Sequence, residues 1–265
     1  MSQITLSSIT RYPIKSAAGE SLQRGVMDEF GLLGDRRWMI IDESGTCLTQ
    51  RQLRAMALLA VEYSDSGLQL HADGDSMFVE SPKANGLRVS ATVWEHSLEA
   101  PLAADSANSW LSDLFKEPLR LVYCPDDTER FVEEGFAPAD QRVAFSDGYP
   151  LLLITEASLT LLNDKLDHPV PMNRFRPNLV LSGATAHAED GWRRIRIGEA
   201  VVDLVKPCAR CTVPAVLQET AGRDPQILEA LMSYRKEGKE ILFGMNAIAQ
   251  AGSSFQLGDQ VDVLA

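Results

Sequence analysis

The sequence predicts a mostly-β protein, β-barrel domains with a few peripheral helices, on three observations. Short runs rich in apolar, β-branched and aromatic residues, broken by Gly, Asp, Ser and Asn, fill the first half. Two candidate hairpins stand in the second half, around Gly198-Glu199 and Gly258-Asp259. Strands and helices do not alternate as a doubly wound sheet requires, and there is no internal repeat.

Taken in order, residues 4–12, 37–42, 58–63, 68–71, 77–80 and 87–94 read as strands. Trp110, Leu111, Leu114 and Phe115 form one apolar stripe, which predicts a helix over Asp105–Phe115. Residues 124–141 are acidic and contain Pro125, Gly135 and Pro138, so they read as an irregular connection near a domain boundary. Residues 155–166 predict a helix capped by Thr155, with Leu159, Leu162 and Leu166 on one face. Leu179–Ser182 reads as a strand, 193–197 with 200–205 as a hairpin, and 255–257 with 261–264 as another. Asp224-Pro225 opens a helix to about Arg235. The indoles of Trp38, Trp94, Trp110 and Trp192 are expected in the cores.

A chain of 265 residues with 45% hydrophobic and 23% charged side chains can bury a real core as one large domain or two small ones. Apolar runs such as Leu151-Leu152-Leu153-Ile154 are too short to cross a bilayer. Met1-Ser2-Gln3-Ile4-Thr5 carries no export signal, and the cysteine usage fits a reducing compartment, so a cytoplasmic protein without membrane contact is expected. A net charge of −12 argues against nucleic acid as the main partner. The charge is uneven, however. Segments 11–16, 34–38, 49–54, 173–178 and 206–211 hold ten Lys or Arg and one acid, Asp35. Converging, they would make a basic pocket for a small phosphate-bearing anion; scattered, they are solvated faces.

Dinucleotide, phosphate-loop and hydrolase-elbow motifs are absent, and His71, His96, His168 and His187 lack zinc spacing. Lys206-Pro207-Cys208-Ala209-Arg210-Cys211 carries the strongest local signal. Thiols so spaced serve as metal ligands, redox centres or nucleophiles, or else pack as small core residues. Lys206 and Arg210 place positive charge near both sulfurs, which favours the thiolate.

Several segments then stand in one order: Tyr12-Pro13-Ile14-Lys15-Ser16, Gly31-Leu32, Asp35-Arg36, Thr49-Gln50-Arg51-Gln52 and Phe145-Ser146-Asp147-Gly148-Tyr149-Pro150. Glu156-Ala157-Ser158-Leu159, Arg174-Phe175-Arg176-Pro177-Asn178, the cysteine segment, Phe243-Gly244-Met245-Asn246 and Gly258-Asp259-Gln260-Val261 follow. Together they resemble a MOSC protein with its N-terminal β-barrel companion domain, in particular bacterial MOSC reductases of N-hydroxylated compounds and the mitochondrial amidoxime-reducing component. The resemblance implies an N-terminal barrel over residues 1–122 and a MOSC barrel over 123–265.

It also implies a molybdenum cofactor, a molybdopterin, whose metal is ligated by Cys211, with Cys208 packed beneath. By the same likeness Lys15, Ser16, Arg36, Arg176 and Asn178 contact the cofactor, Arg51 stands at or behind it, and Asp147 belongs to the catalytic loop. A description as pyridoxal phosphate binding travels with the family. The implied activity is reduction of a small N-hydroxylated substrate to an amine. The chain stops at Ala265 without a cysteine-ligated iron–sulfur domain, so a separate flavin or iron–sulfur protein is expected to donate electrons. Tyr149 departs from the small polar residue of the mitochondrial proteins. A sulfur carrier with a Cys211 persulfide, or a cofactor storage module, are the alternatives the same pocket leaves open.

Overall fold

The computed structural model describes residues 3–83, 86–133, 135–136 and 140–265. Pro138, in the expected irregular connection, lies outside them. Strands dominate because side chains alternate along them. Leu151 and Leu153, Leu179 and Leu181, Ile195 and Ile197, Val202 and Leu204, and Met245 and Ala247 all turn into a single core. Their strands belong to one sheet. Its order is Val261–Val263, Arg194–Ile197, Ala200–Ala209, Glu240–Ala249, Leu151–Thr155, Leu179–Ser182, Thr5–Arg11 and Glu20–Leu22. Thr5 also bridges Gln260, while Leu6 N donates to Asp259 O and Val261 N to Ile4 O. The sheet therefore closes into a barrel, and the N-terminal strand is its last stave. Closure satisfies backbone groups that an open edge would leave bare.

The rest of the first half packs on two further cores. Trp38–Ile41 is buried on both faces. Trp38 and Ile40 face Ile14, Met56, Leu68, Leu111 and Leu121; Met39 and Ile41 face Ala91, Val93, Val122 and Phe145. This strand pairs antiparallel with Arg120–Tyr123. The meander Ala60–Ser64, Gly67–Ala72, Asp75–Glu80 and the hairpin Arg88–Val93, His96–Pro101 complete this half.

The helix Asp105–Phe115 forms as predicted. Thr155 caps the helix Glu156–Asn163 by accepting from Ser158 N, although the helix stops short of Leu166. One expectation is refined and one fails. There is one βαβ unit: Leu151–Thr155 and Leu179–Ser182 run parallel, joined through that helix. The Gly258 turn exists, with Asp259 Oδ2 accepting from Gln256 N at 2.8 Å, but it does not close a hairpin. Ser254–Gln256 pairs with Arg24–Asp28, and Val261–Val263 pairs with Arg194–Ile197. Barrel closure competes with the local pairing and wins, since it also buries Phe255 and Val261.

Candidate active site

At the N-terminal end of the parallel strand pair, the strand Thr5–Arg11 runs on into Tyr12–Ser16. Asp35, 4% exposed, organises this corner. It accepts from Tyr12 N at 2.7 Å and Asn178 Nδ2 at 3.1 Å, and pairs with Arg36 Nη1 at 2.5 Å. Asn178, 1% exposed, ties the corner to the barrel, since its Oδ1 accepts from Arg36 and from Leu152 N and its Nδ2 donates to Thr10 O. The guanidinium of Arg36 lies 4.5 Å from the Tyr12 ring centre and that of Arg176 lies 4.2 Å from it.

Asp35 thus pairs with Arg36, and Arg176 stands beside them over the same Tyr12 ring. Arg176 spends Nη1 on Ala17 O at 2.7 Å, while its buried Nη2 has no partner. Burial, reinforced by the Arg36 charge, lowers the Arg176 pKa to about 10. An uncompensated cation in that position is costly unless an anion enters beside it.

The opposite wall is the loop 145–150. Arg130 holds it by donating to Ala144 O, Ser146 O and Asp147 O. Gly31 seats it from below: at φ +127° a Cβ there would stand 2.6 Å from Pro150 Cβ. Lys15 Nζ donates to Phe145 O at 2.8 Å and to Asp147 Oδ1 at 2.5 Å, and Trp94 Nε1 reaches the same oxygen at 3.2 Å. The Asp147 side chain is 68% exposed; the crowding of the cleft that would raise its pKa is outweighed by Lys15 first, then Trp94 and Arg36, which hold the carboxyl well below its usual range. Asp147 is therefore a standing hydrogen-bond acceptor.

The third wall is the end of the long strand Ala200–Ala209. Arg210 N is tied to Ile241 O at 2.7 Å, which fixes where Cys211 leaves the sheet. Arg210 donates to Phe175 O at 2.8 Å and to Cys208 Sγ at 3.1 Å, and its buried Nε is unpartnered. Both sulfurs line the cleft: Cys208 is half-buried and also packs against the cluster of Phe175 and Phe243, whereas Cys211 is exposed. Lys206 turns away from both sulfurs to pair with Glu133 at 2.7 Å, which also accepts from Tyr149 Oη at 3.1 Å.

Lys15, Ser16, Arg36, Arg51, Asp147, Arg176, Asn178 and Cys211 therefore line one cleft, of about 830 Å³ including its open mouth. The basic segments converge only in part. Lys15, Arg36, Arg51, Arg176 and Arg210 face the cleft, while Arg11 pairs with Glu20, Arg37 with Asp126 and Lys206 with Glu133. Ser16, Arg36 and Arg176 have φ of 69°, 47° and 56°, so local strain gathers here. Trp94 corrects the expectation that every indole packs a core: it is 51% exposed at a hairpin turn, against Asp147 and Arg51. Trp94 and Arg130 escape sequence reasoning because each meets the cleft through a distant partner.

Residues 3–118 match the MOSC N-terminal beta barrel domain family and residues 140–262 the MOSC domain family. The mitochondrial amidoxime-reducing component 1 of Mus musculus is 31% identical over 98% of this chain and 82% of its own. The human protein of that name is 30% identical over 98% of this chain and 83% of its own. A molybdenum cofactor sulfurase of Oryza sativa subsp. japonica is 29% identical over 92% of this chain and 32% of its own. These relatives place the family in molybdenum-cofactor biochemistry, and among the described residues no helix is long and apolar enough to cross a membrane. The chain belongs to the MOSC family, in the arrangement where a MOSC N-terminal β-barrel domain precedes the MOSC domain.

Proposed function

We propose that the protein is a molybdenum-cofactor-dependent reductase of N-hydroxylated compounds, with Cys211 as the metal's one protein ligand. One observation carries this reading: the unpartnered donor of the buried Arg176 and the exposed Cys211 thiol belong to the same cleft. The donor set fits the group. Cys211 offers one soft thiolate, and the family relationship implies that a pterin dithiolene brings the metal's other sulfur donors with it. Arg36 and Arg176 suit the cofactor's phosphate, and Asn178, Ser16 and Lys15 its polar pterin.

When bound, the cofactor supplies the two-electron chemistry that cleaves an N–O bond. The chain's part is to hold and select. Cys211 fixes the metal at the strand end, and Cys208 with Arg210 supports that turn from beneath. Asp147 stays ionised, so it accepts a substrate N–H and does not act as the proton donor. In this reading electrons come from a separate flavin or iron–sulfur protein; Cys47 and Cys124, buried in cores, are not placed to ligate a cluster.

The second reading, a sulfur carrier, rests on the exposure of Cys211 and on the sulfurase relative. Protein from a host that makes the cofactor is assayed for molybdenum and pterin, then for amidoxime reduction with reduced viologen. Loading with turnover supports the reductase, and loading without turnover a storage module. Cofactor-free protein that accepts a persulfide on Cys211 supports the carrier. NADPH alone is expected to drive no turnover until a reductase protein is added.

A further inference from the structure

We propose that Trp94 is the shelf on which a planar, conjugated N-hydroxylated substrate lies, with its N–H edge toward Asp147; this deepens the reductase reading and rests on it. Val93 pairs with His96, so Trp94-Glu95 is a two-residue hairpin turn. Trp94 takes φ +56° there, a conformation that favours Gly or Asn and is unusual for a bulky side chain. A local rule broken at an exposed position points to a task outside the turn.

The indole's surroundings say what the task is. Its Nε1–H is aimed at Asp147 Oδ1, 3.2 Å away, which places the ring beside the one carboxylate of the cleft wall. The Arg51 guanidinium lies 4.5 Å from the ring centre and steadies it. The ring nonetheless remains half exposed. An aromatic surface with a fixed acceptor at its rim matches a flat solute that carries N–H donors in its own plane, such as an aromatic amidoxime or an N-hydroxylated base. A small aliphatic amidoxime offers Asp147 the same donors without a surface to stack. Trp94 should therefore discriminate by the substrate's ring while leaving the chemistry at the metal alone.

The test titrates cofactor-loaded protein, with no electron donor present, with benzamidoxime and with acetamidoxime while following the indole N–H resonances. The Trp94 signal is identified by its loss in Trp94→Gly and Trp94→Phe. Benzamidoxime is expected to shift that signal. Its Kd should rise about tenfold in Trp94→Gly and recover in part in Trp94→Phe, in keeping with the strength of aromatic stacking. Acetamidoxime affinity should change less than about twofold, since it lacks a ring to stack. Glycine suits the turn, so Trp94→Gly should melt no lower than the parent, and Trp94→Phe provides a second folded comparison.

An unshifted Trp94 signal, or equal weakening of both ligands, overturns the shelf; the latter result means that Trp94 only positions Asp147. If benzamidoxime binds on Trp94 but neither compound is reduced once viologen is supplied, the reductase reading falls and the shelf stands. If both are reduced while the Trp94 signal is unmoved, the reverse holds.

Discussion

The parallel strands Leu151–Thr155 and Leu179–Ser182 carry a buried polar cluster at each end. At the C-terminal end Glu189, fully buried, accepts from Thr155 N at 3.2 Å, Thr155 Oγ1 at 2.9 Å and Ser158 Oγ at 2.8 Å. Its bonds are spent inside the protein, and it pins the Ala188–Gly191 turn to the capped helix. At the N-terminal end Arg36 pairs with Asp35, Arg176 stands over the same Tyr12 ring, and one Arg176 nitrogen is left over. Both clusters are charged and buried; only one points unmet bonding capacity into a cleft. Unpartnered atoms also stand near Glu189, on the His187 ring and at Asp190 Oδ1, so it is the opening of the Arg176 donor onto a cleft, rather than charge or burial, that separates the binding site from the structural clamp.

The largest effect expected is on Cys211. Cys211→Ser should reduce viologen-driven amidoxime turnover to background, whereas Cys208→Ser, altering a side chain packed under the site, should leave measurable activity. Exchange of the two phenotypes would reverse the assignment of the sulfurs.

The comparison between the clusters is sharpened by a paired measurement. Glu189→Ala should destabilise the protein by about 2–4 kcal/mol, because it strands buried hydroxyl and amide donors, while leaving molybdenum occupancy intact. Arg176→Met should do the opposite. Stability should change by less than about 1 kcal/mol, because a desolvated cation is removed along with its Ala17 bond, while cofactor affinity should fall about 10- to 100-fold through loss of a charge-assisted contact. Chemical denaturation and metal analysis on both variants check the pair. Equal stability losses would erase the distinction.

Next in size is a pH effect. Lys15 leads the groups that keep the Asp147 carboxyl below its usual range against desolvation. Lys15→Met removes that charge, so the carboxyl pKa should rise and the acid limb of substrate binding should move to higher pH. A limb that does not move would show that Asp147 does not hold the substrate.

The smallest effect concerns His187, whose two ring nitrogens are buried without partners. Burial, with Arg235 adding to it, lowers its pKa from 6.5. Below about pH 6.5 the unfolded chain therefore binds a proton that the folded state refuses. The stability contribution is whole above that pH and is lost as pH falls toward the folded value. His187→Phe should flatten the acid side of the stability–pH profile without changing turnover.

Much of the site was legible in the sequence because its residues sit in compact motifs. Lys15-Ser16, Asp35-Arg36, Arg176-Pro177-Asn178 and Cys211 each occupy a strand end or tight turn, and barrel closure brings those ends together. Asp35, the one acid of the basic segments, became the organising carboxylate. Local reading failed where long-range pairing decides the outcome. The Gly258 turn looks like a hairpin, but its arms join different strands. Lys206 stands next to the cysteines in sequence yet is drawn to Glu133. Trp94 reads as core because its contacts are with Asp147 and Arg51, about fifty and forty residues away along the chain.

Cys211 is proposed as the metal's one protein ligand, and molybdenum X-ray absorption counts sulfur donors directly. Spectra of the loaded parent, Cys208→Ser and Cys211→Ser proteins should show the same sulfur count in the first two and one sulfur fewer in the third. An unchanged count in Cys211→Ser, or a lost sulfur in Cys208→Ser, would contradict it.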